Sequence, residues 1–225
     1  MSQYTGIHIS LEGISGCGKS YILEKLRDMM PEALVVYLQE MGDRQQTGLA
    51  NGLHPFLSSL GDHFFRTGHP RTETLLLMAL KTYDAETIIL PALQTGYSVI
   101  EDRSLDTVAI YQALVLHPGQ AELQLQKAAM IYQQLACWRR PPDLTFWIDD
   151  AFETSMERAQ RRSANSYSIQ DVALLREADA LYRQYVKCHG DRIIHLDRRL
   201  LEAEEIAQTI REVIVPHRGC IGGGR

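Results

Sequence analysis

Eight residues near the N-terminus carry the strongest chemical signal in the chain: Gly13-Ile14-Ser15-Gly16-Cys17-Gly18-Lys19-Ser20. The spacing G-x-x-x-x-G-K-S is that of a phosphate-binding loop. Glycines let backbone N–H groups converge on a polyphosphate, and a helix N-terminus behind the loop adds partial positive charge. Lys19 can reach the β- and γ-phosphates, and the Ser20 hydroxyl can hold Mg²⁺. The expected nucleoside triphosphate site therefore comprises Gly13, Ser15, Gly16, Cys17, Gly18, Lys19, Ser20 and Tyr21. Cys17 admits two roles: a small residue packed under the loop, or a thiol with lowered pKa beside the phosphate-binding amides.

Three further groups of residues could complete a phosphoryl-transfer site. Glu101-Asp102-Arg103-Ser104 ends a strand-like run, and ligands of open α/β sheets bind beyond the carboxyl ends of strands. Asp102 there can hold Mg²⁺, and Arg103 can clamp a phosphate bidentately. The bland alternative is a surface ion pair. Glu40 follows another strand-like run and could accept a proton from an attacking hydroxyl or bind a sugar hydroxyl; a solvated loop acid is the alternative. Arg158, Arg161 and Arg162, with Asn165-Ser166-Tyr167 behind them, suit a basic lid over transferring phosphate or a solvated helix face.

The elements that must position these groups alternate between strand-like and helix-like runs, the pattern of a parallel sheet covered by helices. Strands are expected at 7–11, 34–38, 97–101, 144–148 and 192–196. Helices are expected after the glycine loop and at 72–94, 105–116, 121–138, 152–162, 172–188 and 201–213. The 72–94 run is apolar for much of its length, so it should be largely buried, with a kink at Pro91. Residues 41–70 have no clean period and several glycines, and read as a mobile loop with short helical pieces. Residues 1–215 form one expected domain with a lid at about 158–170, and 216–225 a disordered tail.

The chain has 225 residues, 45% hydrophobic and 23% charged, with a net charge of −5. An acidic balance argues against a nucleic-acid-binding surface. No apolar run approaches the ~20 residues needed to span a bilayer. The first six residues lack the basic and apolar regions of a secretory signal. Four scattered cysteines form no C-x-x-C pair, which points away from zinc and disulfides and toward a reducing cytoplasm.

Glu12-Gly13-Ile14-Ser15-Gly16-Cys17-Gly18-Lys19-Ser20 resembles the EGxDGAGKS loop of thymidylate kinases, and Asp102-Arg103 followed by Ala109-Ile110-Tyr111-Gln112 resembles their DRY…AYQ segment. Thr72-Glu73-Thr74-Leu75-Leu76-Leu77, then Ile89-Leu90-Pro91-Ala92-Leu93-Gln94-Thr95-Gly96, is similar to their ELLLF…IxPALxxG helix. Pro142-Asp143-Leu144-Thr145-Phe146-Trp147-Ile148-Asp149 resembles PDLTxxLD, with Arg158 and Arg162 in the place of the lid arginines. The matches run in order from about residue 7 to 213. The resemblance implies an α/β three-layer P-loop NTPase fold with a five-stranded parallel sheet, Mg²⁺-dependent γ-phosphoryl transfer from ATP to a small-molecule acceptor, a lid, and often a homodimer. It assigns catalysis to Lys19, Asp102, Arg103, Arg158 and Arg162, with Glu40, and acceptor contacts to Glu40, Leu77, Lys81, Arg103 and Gln112.

The departures fall on the acceptor side. Family members stack thymine on a phenylalanine where this chain has Leu77, and hold base and phosphate with an arginine where it has Lys81. The loop aspartate is Ser15, and the R-E-P-G segment becomes Gln39-Glu40-Met41-Gly42. Leucine offers no aromatic face, and lysine lacks the arginine fork. These changes favour an acceptor other than dTMP: an altered nucleotide, a nucleoside, or a sugar- or aminoglycoside-like hydroxyl compound. An ordinary dTMP kinase with a drifted base pocket is the alternative, and an NTP-binding switch without an acceptor is a third reading of another class.

Overall fold

The computed structural model describes residues 6–30, 35–43, 48–58, 62, 64–162 and 167–217. Five strands form one parallel sheet: β1 (His8–Glu12), β2 (Val35–Leu38), β3 (Ser98–Asp102), β4 (Leu144–Asp149) and β5 (Ile193–Asp197). Their order is β2-β3-β1-β4-β5. Each lies within one residue of its expected bounds. β1 and β3 are buried at every position, as expected of strands covered on both faces. Leu11 of β1 is in register with Asp102 of β3 and Phe146 of β4. The carboxyl ends of the three central strands thus finish at one level, below the glycine loop.

Among the described residues the helices are α1 (Lys19–Met29), α2 (Gly48–Ser58), α3 (Pro70–Asp84), α4 (Leu90–Gln94), α5 (Leu105–Leu116), α6 (Ala121–Trp138), α7 (Phe152–Arg162), α8 (Ile169–Cys188) and α9 (Ala203–Ile214). α1 packs with α9, while α5 packs with α3, α6 and α8, giving two helical groups that flank the sheet. No helix among them is long and apolar enough to cross a membrane.

The expected single helix over 72–94 is three pieces. α3 passes into a π turn, Ala85–Ile89, and then α4. Pro91 has no N–H to donate to the preceding turn, and the wider turn immediately before it accommodates that loss. Nor is this run buried all round. Thr74, Leu77, Leu80 and Lys81 face inward, whereas Leu75 is 66% exposed. The aperiodic 41–70 stretch holds a 3-10 turn, Met41–Asp43, and all of α2, an 11-residue helix with Pro55 inside it. Of the expected lid and tail, residues 163–166 and 218–225 lie outside the described residues, and Val215–His217 forms a 3-10 turn.

Candidate active site

The loop between β1 and α1 has Gly13, Gly16 and Gly18 at φ values of 138°, 82° and 103°. Contact matters as much as torsion. A Cβ on Gly16 would stand 1.9 Å from the Ser155 carbonyl oxygen in α7, and one on Gly13 2.4 Å from that of Ile148 in β4. Only hydrogen side chains let the loop press against both neighbours. Lys19 is buried and folds back over the loop, donating from Nζ to the carbonyls of Gly13 and Ile14 at 3.0 Å each, with Cys17 Sγ 3.7 Å away. Cys17 is wholly buried in the main core, which supports its packing role. Tyr21 is exposed on α1 beneath the Lys25 ammonium, 5.1 Å from its ring centroid.

Beyond β3, Arg103 adopts φ +62°, the left-handed region that a side chain rarely takes. Its guanidinium donates to the Gly13 carbonyl at 2.9 Å and to Ser15 Oγ at 3.2 Å, and its Nε lies 2.8 Å from Glu40 Oε1. The expected acceptor clamp is therefore also a brace for the phosphate loop. Its ion-pair partner is Glu40, not Asp102. Burial pushes Glu40 upward, but Arg103 and Lys19 outweigh it and hold the carboxyl below its usual range.

Lys81 does not reach out as a phosphate ligand. Its buried ammonium lies 3.0 Å from Glu101 Oε1 and donates to the Arg103 carbonyl, so it holds the left-handed turn in place. Glu101 also pairs with Arg139 Nη2 at 2.9 Å and His8 Nε2 at 3.1 Å, all with wholly buried side chains. Burial alone would raise the Glu101 pKa; Arg139, Lys81 and the His8 hydrogen bond hold it well below the carboxylate range.

Asp102 is buried, and its Oδ1 has no hydrogen-bond partner. Burial raises its pKa against the pull of Lys19 and Arg103, and nearby Glu40 adds to the rise. An unpartnered buried carboxylate oxygen within the field of Lys19 fits a divalent cation, which would restore the charged form. Ser20 lies at the start of α1, and its hydroxyl accepts from Arg162 Nη1 at 3.0 Å. Arg158 pairs instead with Asp150 at 2.6 Å, and Arg161, 81% exposed, with Glu157 at 3.7 Å. One of the three lid arginines thus reaches the triphosphate loop. Asp149, His195 and Asp197 also converge at the ends of β4 and β5, but Arg183 and Arg199 neutralise them at 2.7 and 2.6 Å.

Between these groups and α3 opens a cleft. Ser15, Glu40, Lys81, Arg103, Thr107 and Gln112 give it a polar side; Met41, Phe64, Phe65, Leu77, Val108 and Tyr111 give it an apolar one. Gln112 is fixed by Thr74, whose Oγ1 lies 2.7 Å from Oε1. The expected acceptor residues Glu40, Leu77, Lys81, Arg103 and Gln112 thus share one cavity next to the phosphate loop, which suits a small molecule with a charged end and an apolar body.

A family model for thymidylate kinase matches residues 11–210. The chain belongs to the thymidylate kinase family. Its relatives include thymidylate kinases of Acinetobacter baumannii (strain SDF), 30% identical with 84% of this chain and 90% of the other covered, and of Nitrosospira multiformis, 28% identical over 93% and 95%. The solved thymidylate kinases of Candida albicans and Ehrlichia chaffeensis share the fold. Their TM-scores are 0.69 and 0.63 at 16% and 20% identity; 94% and 93% of this chain and 92% and 98% of theirs are covered. This member of the thymidylate kinase family is an ATP-dependent phosphotransferase with the five-stranded parallel P-loop fold.

Sequence reasoning missed two parts of this site. Glu12 is wholly enclosed at the end of β1. It accepts from Ser10 Oγ at 2.6 Å, the Ser104 N–H at 2.7 Å, Tyr182 OH at 3.2 Å and Thr107 Oγ1. It therefore ties β1 to the β3–α5 turn that carries Arg103. The second omission is Phe64 and Phe65 on the cleft wall, whose only sequence signal was an aromatic pair inside a glycine-rich polar stretch.

Proposed function

We propose that this protein is a nucleoside monophosphate kinase that transfers the γ-phosphoryl group of ATP to dTMP. The observation that carries this reading is Arg103, which touches the phosphate loop at Gly13 and Ser15 while lining the acceptor cleft. A cation so placed joins donor and acceptor phosphates, which is what transfer between two phosphates needs. ATP draws Lys19 from the loop carbonyls onto its phosphates, and Arg162 closes on the donor side beside Ser20. The acceptor phosphate takes the place of Glu40 on Arg103, and its nucleoside fills the apolar part of the cleft. Ser20 and Asp102 would hold Mg²⁺, which would supply charge neutralisation at the phosphates.

A hydroxyl acceptor activated by Glu40 is the second reading, motivated by Leu77 and by the structural engagement of Lys81. The Arg103–Glu40 pair weighs against it, because a carboxylate held below its usual range is a weaker base. ADP release with ATP·Mg²⁺ and a panel of nucleoside monophosphates, nucleosides and aminoglycosides tests the proposal. dTMP should support the fastest turnover. Inert dTMP alongside a rapidly phosphorylated nucleoside or aminoglycoside would overturn it.

A further inference from the structure

Two arginines touch the phosphate loop from opposite flanks. Arg103, after β3, meets it at Gly13 and Ser15. Arg198 directly follows β5, the edge strand beyond β4, and lies against Gly18 at the other end of the loop. A Cβ on Gly18 would stand 3.5 Å from Arg198 Nε and 3.9 Å from its Cδ. The turn that carries Arg198 is fixed by its backbone. The Arg198 N–H donates to the Asp149 carbonyl at 2.8 Å, and the N–H groups of Leu200 and Leu201 donate to the Asp197 carbonyl at 3.1 and 3.0 Å. The carboxylates around it are already engaged: Asp149 by Arg183, Asp197 by Arg199, and Glu204 by Lys25 at 2.8 Å. Arg198 itself pairs with no carboxylate among the described residues. Its Nη1 donates to the Leu201 carbonyl at 3.3 Å, and its Nε is shut off from solvent with no acceptor. A buried donor left without an acceptor is unfavourable, and an arginine fork beside phosphate-gathering amides meets its acceptors when a phosphate arrives. The strand order says which phosphate. Arg103 lines the acceptor cleft, so the transferred γ-phosphate belongs at the Gly13–Ser15 flank. The α-phosphate, two phosphorus atoms away, then falls toward Gly18 and Arg198.

We propose that Arg198 is a donor-binding residue that grips the α-phosphate of ATP. The α-phosphate keeps its charge while the γ-phosphoryl group leaves, so this contact is equally strong in the ground state and the transition state. It therefore acts on ATP affinity rather than on the chemical step. The inference rests on the loop as the ATP site and not on the identity of the acceptor, so binding is measured with no acceptor present. Calorimetry gives the affinities of ATP·Mg²⁺ and of inorganic tripolyphosphate·Mg²⁺ for wild type, Arg198→Ala and Arg198→Lys. Arg198→Ala should weaken both ligands at least about tenfold, as expected for the loss of one hydrogen bond between charged groups. Arg198→Lys should recover part of the loss, because charge returns without the fork. In turnover with dTMP, Arg198→Ala should raise KM for ATP with kcat within about threefold of wild type. Unchanged affinity for both ligands overturns the proposal and leaves the kinase standing. Weaker ATP with unchanged tripolyphosphate also overturns it, since that places Arg198 on the nucleoside. A fall in kcat as large as the rise in KM overturns it too, because it marks a distorted loop. A wild-type protein that binds neither ligand overturns the donor site as well, whereas one that binds both and ignores dTMP overturns only the choice of acceptor.

Discussion

Lys19 shows what a single residue contributes before any ligand arrives. Its ammonium is held on two loop carbonyls, and a triphosphate offers better acceptors with real negative charge. Lys19→Ala should cut kcat by roughly 10²–10³, about 3–4 kcal/mol of transition-state stabilisation, while the circular-dichroism melt stays cooperative. Retention of more than a tenth of the activity would remove the lysine from catalysis. Glu40 divides the two acceptor classes at the same scale. A monophosphate is already an anionic nucleophile, so Glu40→Gln should act mainly on KM for dTMP and leave kcat within about tenfold. A hydroxyl acceptor would lose ~10²–10⁴ in kcat along with its base. The pH profile of kcat for Glu40→Gln separates them again: with a hydroxyl acceptor the acidic limb disappears along with the base, whereas a monophosphate keeps the limb set by its own second ionisation.

At the scale of elements, the phosphate loop and α7 behave as one part, since Gly16 rests on the Ser155 carbonyl and Arg162 reaches Ser20. Arg162→Ala should lower kcat at least about tenfold, whereas Arg158→Ala, whose guanidinium is held by Asp150, should matter less. Equal effects from the two, read in the same turnover assay, would contradict that ranking. The strands were legible because each is a short, mostly apolar run closed by turn residues, and the phosphate loop because of its glycine spacing ahead of Lys19 and Ser20. The break before Pro91 was not. A π turn leaves the apolar pattern almost unchanged and only shifts the backbone register. α2 was expected only as short helical pieces in a loop, since Gly48, Gly52 and Pro55 mask its period in the sequence. In the site, residue types were legible but partners were not. Lys81 looked like a phosphate ligand until Glu101, twenty residues away in the chain, was seen to hold it.

Across the whole molecule, His8, Lys81, Glu101 and Arg139 join β1, α3, β3 and the end of α6 through one buried polar cluster. Burial lowers the His8 pKa from its ordinary 6.5, against the pull of Glu101. A depressed folded-state pKa means that the unfolded chain takes up the proton first, so this contribution is complete above about 6.5 and is lost as pH falls through the lower native value. Glu101, held far down, keeps its own contribution across the same window. His8→Gln should therefore lose less Tm between pH 7 and pH 5 than wild type. A steeper loss in the variant would show that His8 does not carry this dependence. The cluster also shapes how the enzyme meets its substrate. The cations on the acceptor side are compensated from within, Lys81 by Glu101 and Arg103 by Glu40, in a chain whose net charge is −5. An anionic acceptor thus feels little long-range attraction from them, and its capture is an exchange of counterions at contact distance. A neutral nucleoside brings nothing to exchange, so the Arg103–Glu40 pair favours phosphorylated over unphosphorylated acceptors before any chemistry begins.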